Sequence, residues 1–214
     1  MHETTSVPAR TDVDDLAHPA VVAPPTLTVT TARRIGVALA LGAVAFGATF
    51  LFGDPQDPGA AGDLTDAAGL LFQLGLFGLL YAMRRTRATG DGRFGRGLLW
   101  TVTALLVPAT VWSALAVVVP LGWQGTWFVV LDVFWPLSML GMAVIGVTVA
   151  VVGRYRGPLR WWPALAETWA VVTVPTMAVL GTATGNVVGG VHMLLGYAVL
   201  GLLIAVRPDR VGAR

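Results

Sequence analysis

Six apolar runs dominate the sequence, and each is long enough to cross a lipid bilayer as a helix. They cover residues 35–52, 64–83, 97–119, 128–152, 163–182 and 187–206. A helix rises about 1.5 Å per residue, so roughly 20 apolar residues span the hydrocarbon core. No water is present there to satisfy backbone N–H and C=O groups, so a run of this length must pair them internally as a helix. Strands of a membrane barrel would be about 9–11 residues long and alternate in polarity, and none of the runs alternates. The expected fold is all-α: a polytopic bundle of six transmembrane helices.

The remaining composition agrees. Of the 214 residues, 55% are hydrophobic and 12% charged, about half the charged fraction of a soluble domain. Too few charges remain to coat a water-facing surface. The chain has no cysteine, which excludes disulfides, thiolate metal sites and cysteine nucleophiles. No phosphate-binding loop or HExxH motif occurs. A bis-histidine haem would need two membrane histidines, but His2 and His18 precede the first run. No cofactor or metal is expected.

All 14 basic residues are arginine, a bias that suggests a GC-rich bacterial genome. Their placement sets an orientation. Arg33 and Arg34 precede the first run. Arg84, Arg85, Arg87, Arg93 and Arg96 lie between the second and third, and Arg154, Arg156 and Arg160 between the fourth and fifth. Arg207, Arg210 and Arg214 follow the sixth. The alternate connections hold no arginine, and the first of them carries Asp54, Asp57 and Asp63. Positive charge stays on the cytoplasmic side. Both termini are therefore expected in the cytoplasm, in a bacterial cytoplasmic (inner) membrane. The same placement accounts for the basic balance without a nucleic-acid partner: these charges meet lipid headgroups. Trp123 and Trp127 at the outer boundary, with Trp100, Trp161 and Trp162 at the inner one, fit interfacial belts.

Residues 1–31 read as a disordered cytoplasmic tail, and nothing in them resembles a signal peptide. The six helices occupy 32–208, and 209–214 form a short cytoplasmic tail.

Two segments repeat. LGMAVIGVTVAV (140–151) and LGYAVLGLLIAV (195–206) share seven of twelve positions, with a fainter echo from Leu74. Both run the same way through the membrane, as duplicated helical hairpins in parallel orientation would. Gly75, Gly78, Gly141, Gly146, Gly196 and Gly201 offer small patches where helix backbones approach closely. They serve packing within the bundle first, and a homo-oligomer or membrane-protein partner second. Pro108, Pro136 and Pro175 fall inside helices and are expected to kink them.

An ionisable side chain inside the bilayer is a functional candidate, because Asp at a helix centre costs about 2.5–3.5 kcal/mol on insertion scales. Asp132 and His192 lie within the runs, each about 6–8 Å from the outer boundary by helical rise. If their helices are neighbours, they would form a carboxylate–imidazole pair responsive to protons. Trp112, Trp135, Asn186 and Ser113 could line the same outer pocket, with Gln73 and Ser138 nearer the midplane. Glu167 is expected in or near the first turn of the fifth helix, close to Arg160.

Ser138 and His192 sit on the fourth and sixth helices, an arrangement that resembles the rhomboid proteases. The motifs depart from that family. Its GxSG is replaced by PLSMLG, the second helix (LLFQLGLFG) lacks its His and Asn, and the first outer connection is too short for its large loop. Proteolysis is not expected. The leading reading is a non-enzymatic membrane protein that binds a small ligand or a proton in an outer-facing pocket, for transport or sensing. The alternative is a membrane scaffold or regulatory subunit working through protein–protein contacts.

Overall fold

The structure, a computed structural model, describes residues 26–57, 59–119, 123 and 125–214. Nine α-helices occur among them: α1 (Val29–Phe52), α2 (Ala60–Arg85), α3 (Arg93–Val118), α4 (Thr126–Asp132), α5 (Phe134–Val152), α6 (Trp162–Glu167), α7 (Trp169–Leu180), α8 (Thr182–His192) and α9 (Val199–Val206). A π-helical turn, Met193–Ala198, joins α8 to α9, and 3₁₀ turns occupy Gly157–Arg160 and Pro208–Val211. No strand occurs among the described residues. Together these elements build six spans long and apolar enough to cross a membrane. Spans one to three are α1, α2 and α3; α4 and α5 make the fourth, α6 and α7 the fifth, and α8 to α9 the sixth.

The helices overrun the apolar runs because backbone hydrogen bonding continues into the polar flanks. The Thr28 hydroxyl caps α1 by accepting from the Thr31 N–H at 3.2 Å. Residues 29–31 are therefore helical rather than part of a disordered tail; residues 1–25 lie outside the described part. The expected tail after residue 208 is packed. Val211 and Ala213 are buried, and the Arg214 N–H donates to the Leu27 carbonyl at 2.9 Å.

Each span packs on its neighbour in sequence, and span six closes back onto span one. Short connections make consecutive helices antiparallel neighbours, so the chain winds into a ring. Aromatic rings fill its middle: Phe46 stacks on Phe72 and touches Phe50 and Trp169, Phe72 meets Tyr197, and Trp169 meets Trp135.

Glycines set the closest approaches. A Cβ at Gly201 would lie 2.5 Å from the Gly36 carbonyl oxygen and 2.6 Å from the Ala40 nitrogen, so span six meets span one backbone to backbone. The four glycines of the two similar segments contact the ring in matching order. Gly141 faces Val102 and Gly196 faces Ala166, each on the preceding span. Gly146 faces Pro163 and Ala164, and Gly201 faces Gly36, each on the next span round the ring.

The arginine-bearing connections meet at one end. Asp91 pairs with Arg87 (2.8 Å) and with Arg154. The Tyr155 hydroxyl lies 3.2 Å from that of Thr86, and the Arg156 N–H donates to the Arg210 carbonyl at 3.0 Å. The Arg154 and Arg87 guanidiniums hold the Asp91 carboxyl below its usual range, chiefly by hydrogen bonding. Burial pushes the Tyr155 phenol up to about 12.

Candidate functional site

Three of the spans are interrupted. Pro136 lacks an N–H and its ring crowds the carbonyl four residues earlier, that of Asp132. The break in span four falls at Val133, immediately after Asp132. Span five breaks at Thr168, whose hydroxyl turns back to donate to the Leu165 carbonyl at 2.7 Å. Span six carries the π-helical turn, a distortion frequent at functional sites. The second and third interruptions flank one pair of residues.

That pair is Glu167 and Tyr197. The Tyr197 hydroxyl donates to Glu167 Oε2 at 2.5 Å. Glu167 is 1% exposed and Tyr197 0%. The other carboxylate oxygen, Oε1, is buried with no hydrogen-bond partner. The Glu167 stem packs against Gly146, where an added Cβ would lie 3.0 Å from Glu167 Cγ. Glu167 and Arg160 form no ion pair: among the described residues the only ion pairs are those of Asp91.

The sequence places Glu167 in or near the first turn of its helix, close to Arg160. It instead closes α6, well inside the bundle. The 3₁₀ turn Gly157–Arg160, with Leu159 buried, precedes the helix. The Trp162 indole then donates to the Leu195 and Gly196 carbonyls, both at 3.1 Å. Those carbonyls stand about ten residues, or roughly 15 Å by helical rise, from the end of span six. Arg160 donates its Nε–H to the Ala150 carbonyl at 3.0 Å and covers the Trp161 ring.

The expected Asp132–His192 pair does not form. Their spans are separated in the ring by span five, and the two residues make no ion pair. Helix α8 begins at Thr182, so His192 is ten residues in, about 15 Å by rise rather than the roughly 6–8 Å expected. Its Nε2–H donates to the Leu165 carbonyl at 2.8 Å, an acceptor in the last turn before the break at Thr168. His192 also lines an apolar groove of about 360 Å³ with Leu165, Val191 and Leu195. Asp132 is exposed and lies within electrostatic reach of Asp66 on α2, which also feels Asp63. The end of spans two and four opposite the arginine-bearing connections is thus acidic.

The other sequence candidates fall in separate places. Gln73 donates to the Ser113 hydroxyl at 2.8 Å and leaves its Oε1 buried and unpaired. Ser138 is spent on the Trp135 carbonyl at 2.8 Å. Trp112 packs on Phe128, and its indole N–H is buried without a partner. Trp135 meets the Trp169 ring, and Trp169 Nε1–H donates to the Gly189 carbonyl at 2.9 Å. Asn186 donates to the Gln56 side chain at 3.5 Å. Among the described residues, the hydrogen bonds of Gln73, Ser138 and Asn186 go to neither Asp132 nor His192; the pairing of Glu167 with Tyr197 is what sequence reasoning missed. The available signal was a carboxylate four residues inside an apolar run.

The chain matches no known family model, no curated protein and no solved structure.

Proposed function

We propose that this is a proton-binding multi-pass membrane protein whose site is the Glu167–Tyr197 pair. The supporting observation is the buried carboxylate itself: one oxygen takes a hydrogen bond from Tyr197, and the other has no partner and is free to carry a proton. Ionisable groups inside the bilayer are costly and commonly belong to proton relays. The site also lies where its supports can change. Glu167 ends a broken helix and Tyr197 sits in a π-helical turn, so gain or loss of one proton alters a side-chain bond that joins these two interruptions directly.

The arginine-bearing end is assigned to the cytoplasm of a bacterial cell, with both termini there, on the positive-inside rule. The matching contacts of Gly141 with Gly196, and of Gly146 with Gly201, support descent of spans three to six from one duplicated hairpin.

Vesicles loaded with a pH-sensitive dye test the proposal and separate its two uses. Proton flux that is lost in Glu167→Gln identifies transport. Reversible protonation of Glu167 without flux identifies sensing. Absence of both, in protein that is folded, overturns the proposal.

A further inference from the structure

A second site lies at the arginine end, away from Glu167. We infer that the pocket between the end of α2 and the start of α3 binds the phosphate of an anionic phospholipid. The pocket has a volume of about 280 Å³ and is lined by Arg84, Arg87, Arg96, Asp91, Thr89 and Trp100. Three guanidiniums face one carboxylate, so the lining carries an excess of positive charge. Asp91 is already engaged by Arg87 and Arg154. Arg84 and Arg96 make no ion pair among the described residues, which leaves two guanidinium forks suited to phosphate oxygens.

Two further features make this a shaped site rather than a diffuse basic surface. Arg87 has φ 52°, the one non-glycine residue with positive φ among those described. A side chain in that left-handed region is strained, and strain of this kind gathers at ligand clamps. Here it lets Arg87 reach Asp91 within the same short loop. The Arg84 Cζ lies over the Trp100 ring, 3.8 Å from its centroid, which holds the guanidinium at one edge of the pocket.

The surroundings favour a lipid over a soluble phosphate. Trp100 is 58% exposed and Phe94 70%, both on the first turns of α3. An indole at a helix end marks the headgroup level. A phosphate seated between the arginines would keep its acyl chains beside these rings and the apolar surface of α3 below them.

The test uses the full chain in nanodiscs of phosphatidylcholine, with and without phosphatidylglycerol, and native mass spectrometry to count retained lipid. Wild type is expected to retain phosphatidylglycerol selectively. The double variant Arg84→Gln/Arg96→Gln is expected to weaken that retention by about tenfold or more, since it removes the two guanidiniums of the pocket left free for charge-assisted hydrogen bonds to the phosphate. The charge-matched control Arg33→Gln/Arg207→Gln, outside the pocket, is expected to retain the lipid as wild type does. Both double variants are compared by thermal melting to establish that they fold. Equal losses in the two would mean a diffuse basic surface and overturn the inference. Displacement of the lipid by inorganic phosphate alone would assign the pocket to a soluble phosphate instead, and would overturn the lipid assignment. Neither outcome bears on Glu167.

Discussion

The Tyr197 hydroxyl on span six reaches across to the Glu167 carboxylate on span five, at 2.5 Å, in the interior of the ring. Tyr197→Phe removes one oxygen and leaves both carboxylate oxygens without a partner. Exposing a buried polar group in this way costs about 1–3 kcal/mol. Glu167→Gln keeps an acceptor for the hydroxyl and is expected to cost less. Denaturant or thermal unfolding in detergent measures the order, with Tyr197→Phe the less stable of the two.

The approach of span six to span one leaves no room for a side chain. Gly201→Val places its Cβ against the Gly36 carbonyl and the Ala40 nitrogen. Overpacking of this kind typically costs about 1–3 kcal/mol, and backbone contact on both sides argues for the upper part of that range. Gly97, on α3, has open space where its Cβ would be. Gly97→Ala is expected to be neutral, or to stabilise by up to about 1 kcal/mol through helix propensity. The pair of melting temperatures checks both statements.

The arginine end carries its own pH limits. The Tyr155 phenol is pushed up to about 12 by burial, from an ordinary value near 10. The folded state therefore holds this proton more tightly than the unfolded chain does. The contribution is intact below pH about 10 and is lost as pH rises from there to about 12. At the acid side, the Asp91 carboxyl is lowered by its bonds to Arg154 and Arg87. Its contribution is present above the ordinary carboxylate value and is lost as pH falls through the lowered one. Hydrogen exchange of the 86–91 and 153–156 segments is expected to rise at both extremes, and Tyr155→Phe to remove the alkaline rise alone.

How much of this could be read from the sequence depends on the feature. The six spans follow from run length and the exclusion of water, so they were legible. The shared end of the arginines follows from counting spans, and the Leu27–Arg214 bond bears out that both described ends lie together. The break at Val133 was legible in part, through Pro136. The break at Thr168 was not, because no proline or glycine marks it, and the π-helical turn was not, because its Gly196 reads as a packing glycine like those of the other spans. Helix neighbours are set by how side chains interlock around the ring, and a single sequence does not contain that order. The Asp132–His192 pairing failed on this point. Glu167 was misplaced for a related reason. Its sequence neighbours Arg160, Trp161 and Trp162 all suit a boundary, and only the Trp162 bonds to span six show how far inward the helix begins.

Asp132 and His192 have no bond to the Glu167–Tyr197 pair. Asp132→Asn and His192→Ala are accordingly expected to leave proton binding at Glu167 intact. His192→Ala removes one donor to the Leu165 carbonyl, which keeps that of Thr168, and is expected to cost about 1 kcal/mol of stability, the usual worth of one hydrogen bond. A pH-linked signal that vanished in either variant would move the site away from the Glu167–Tyr197 pair to that residue.

The most direct test of the account is the carboxyl stretching band of Glu167, resolved by infrared difference spectroscopy on the reconstituted protein as pH is cycled. The account predicts a reversible band that is absent in Glu167→Gln and changes frequency in Tyr197→Phe, because the hydroxyl bonds that carboxylate directly. A pH-dependent spectrum identical in wild type and Glu167→Gln would contradict it.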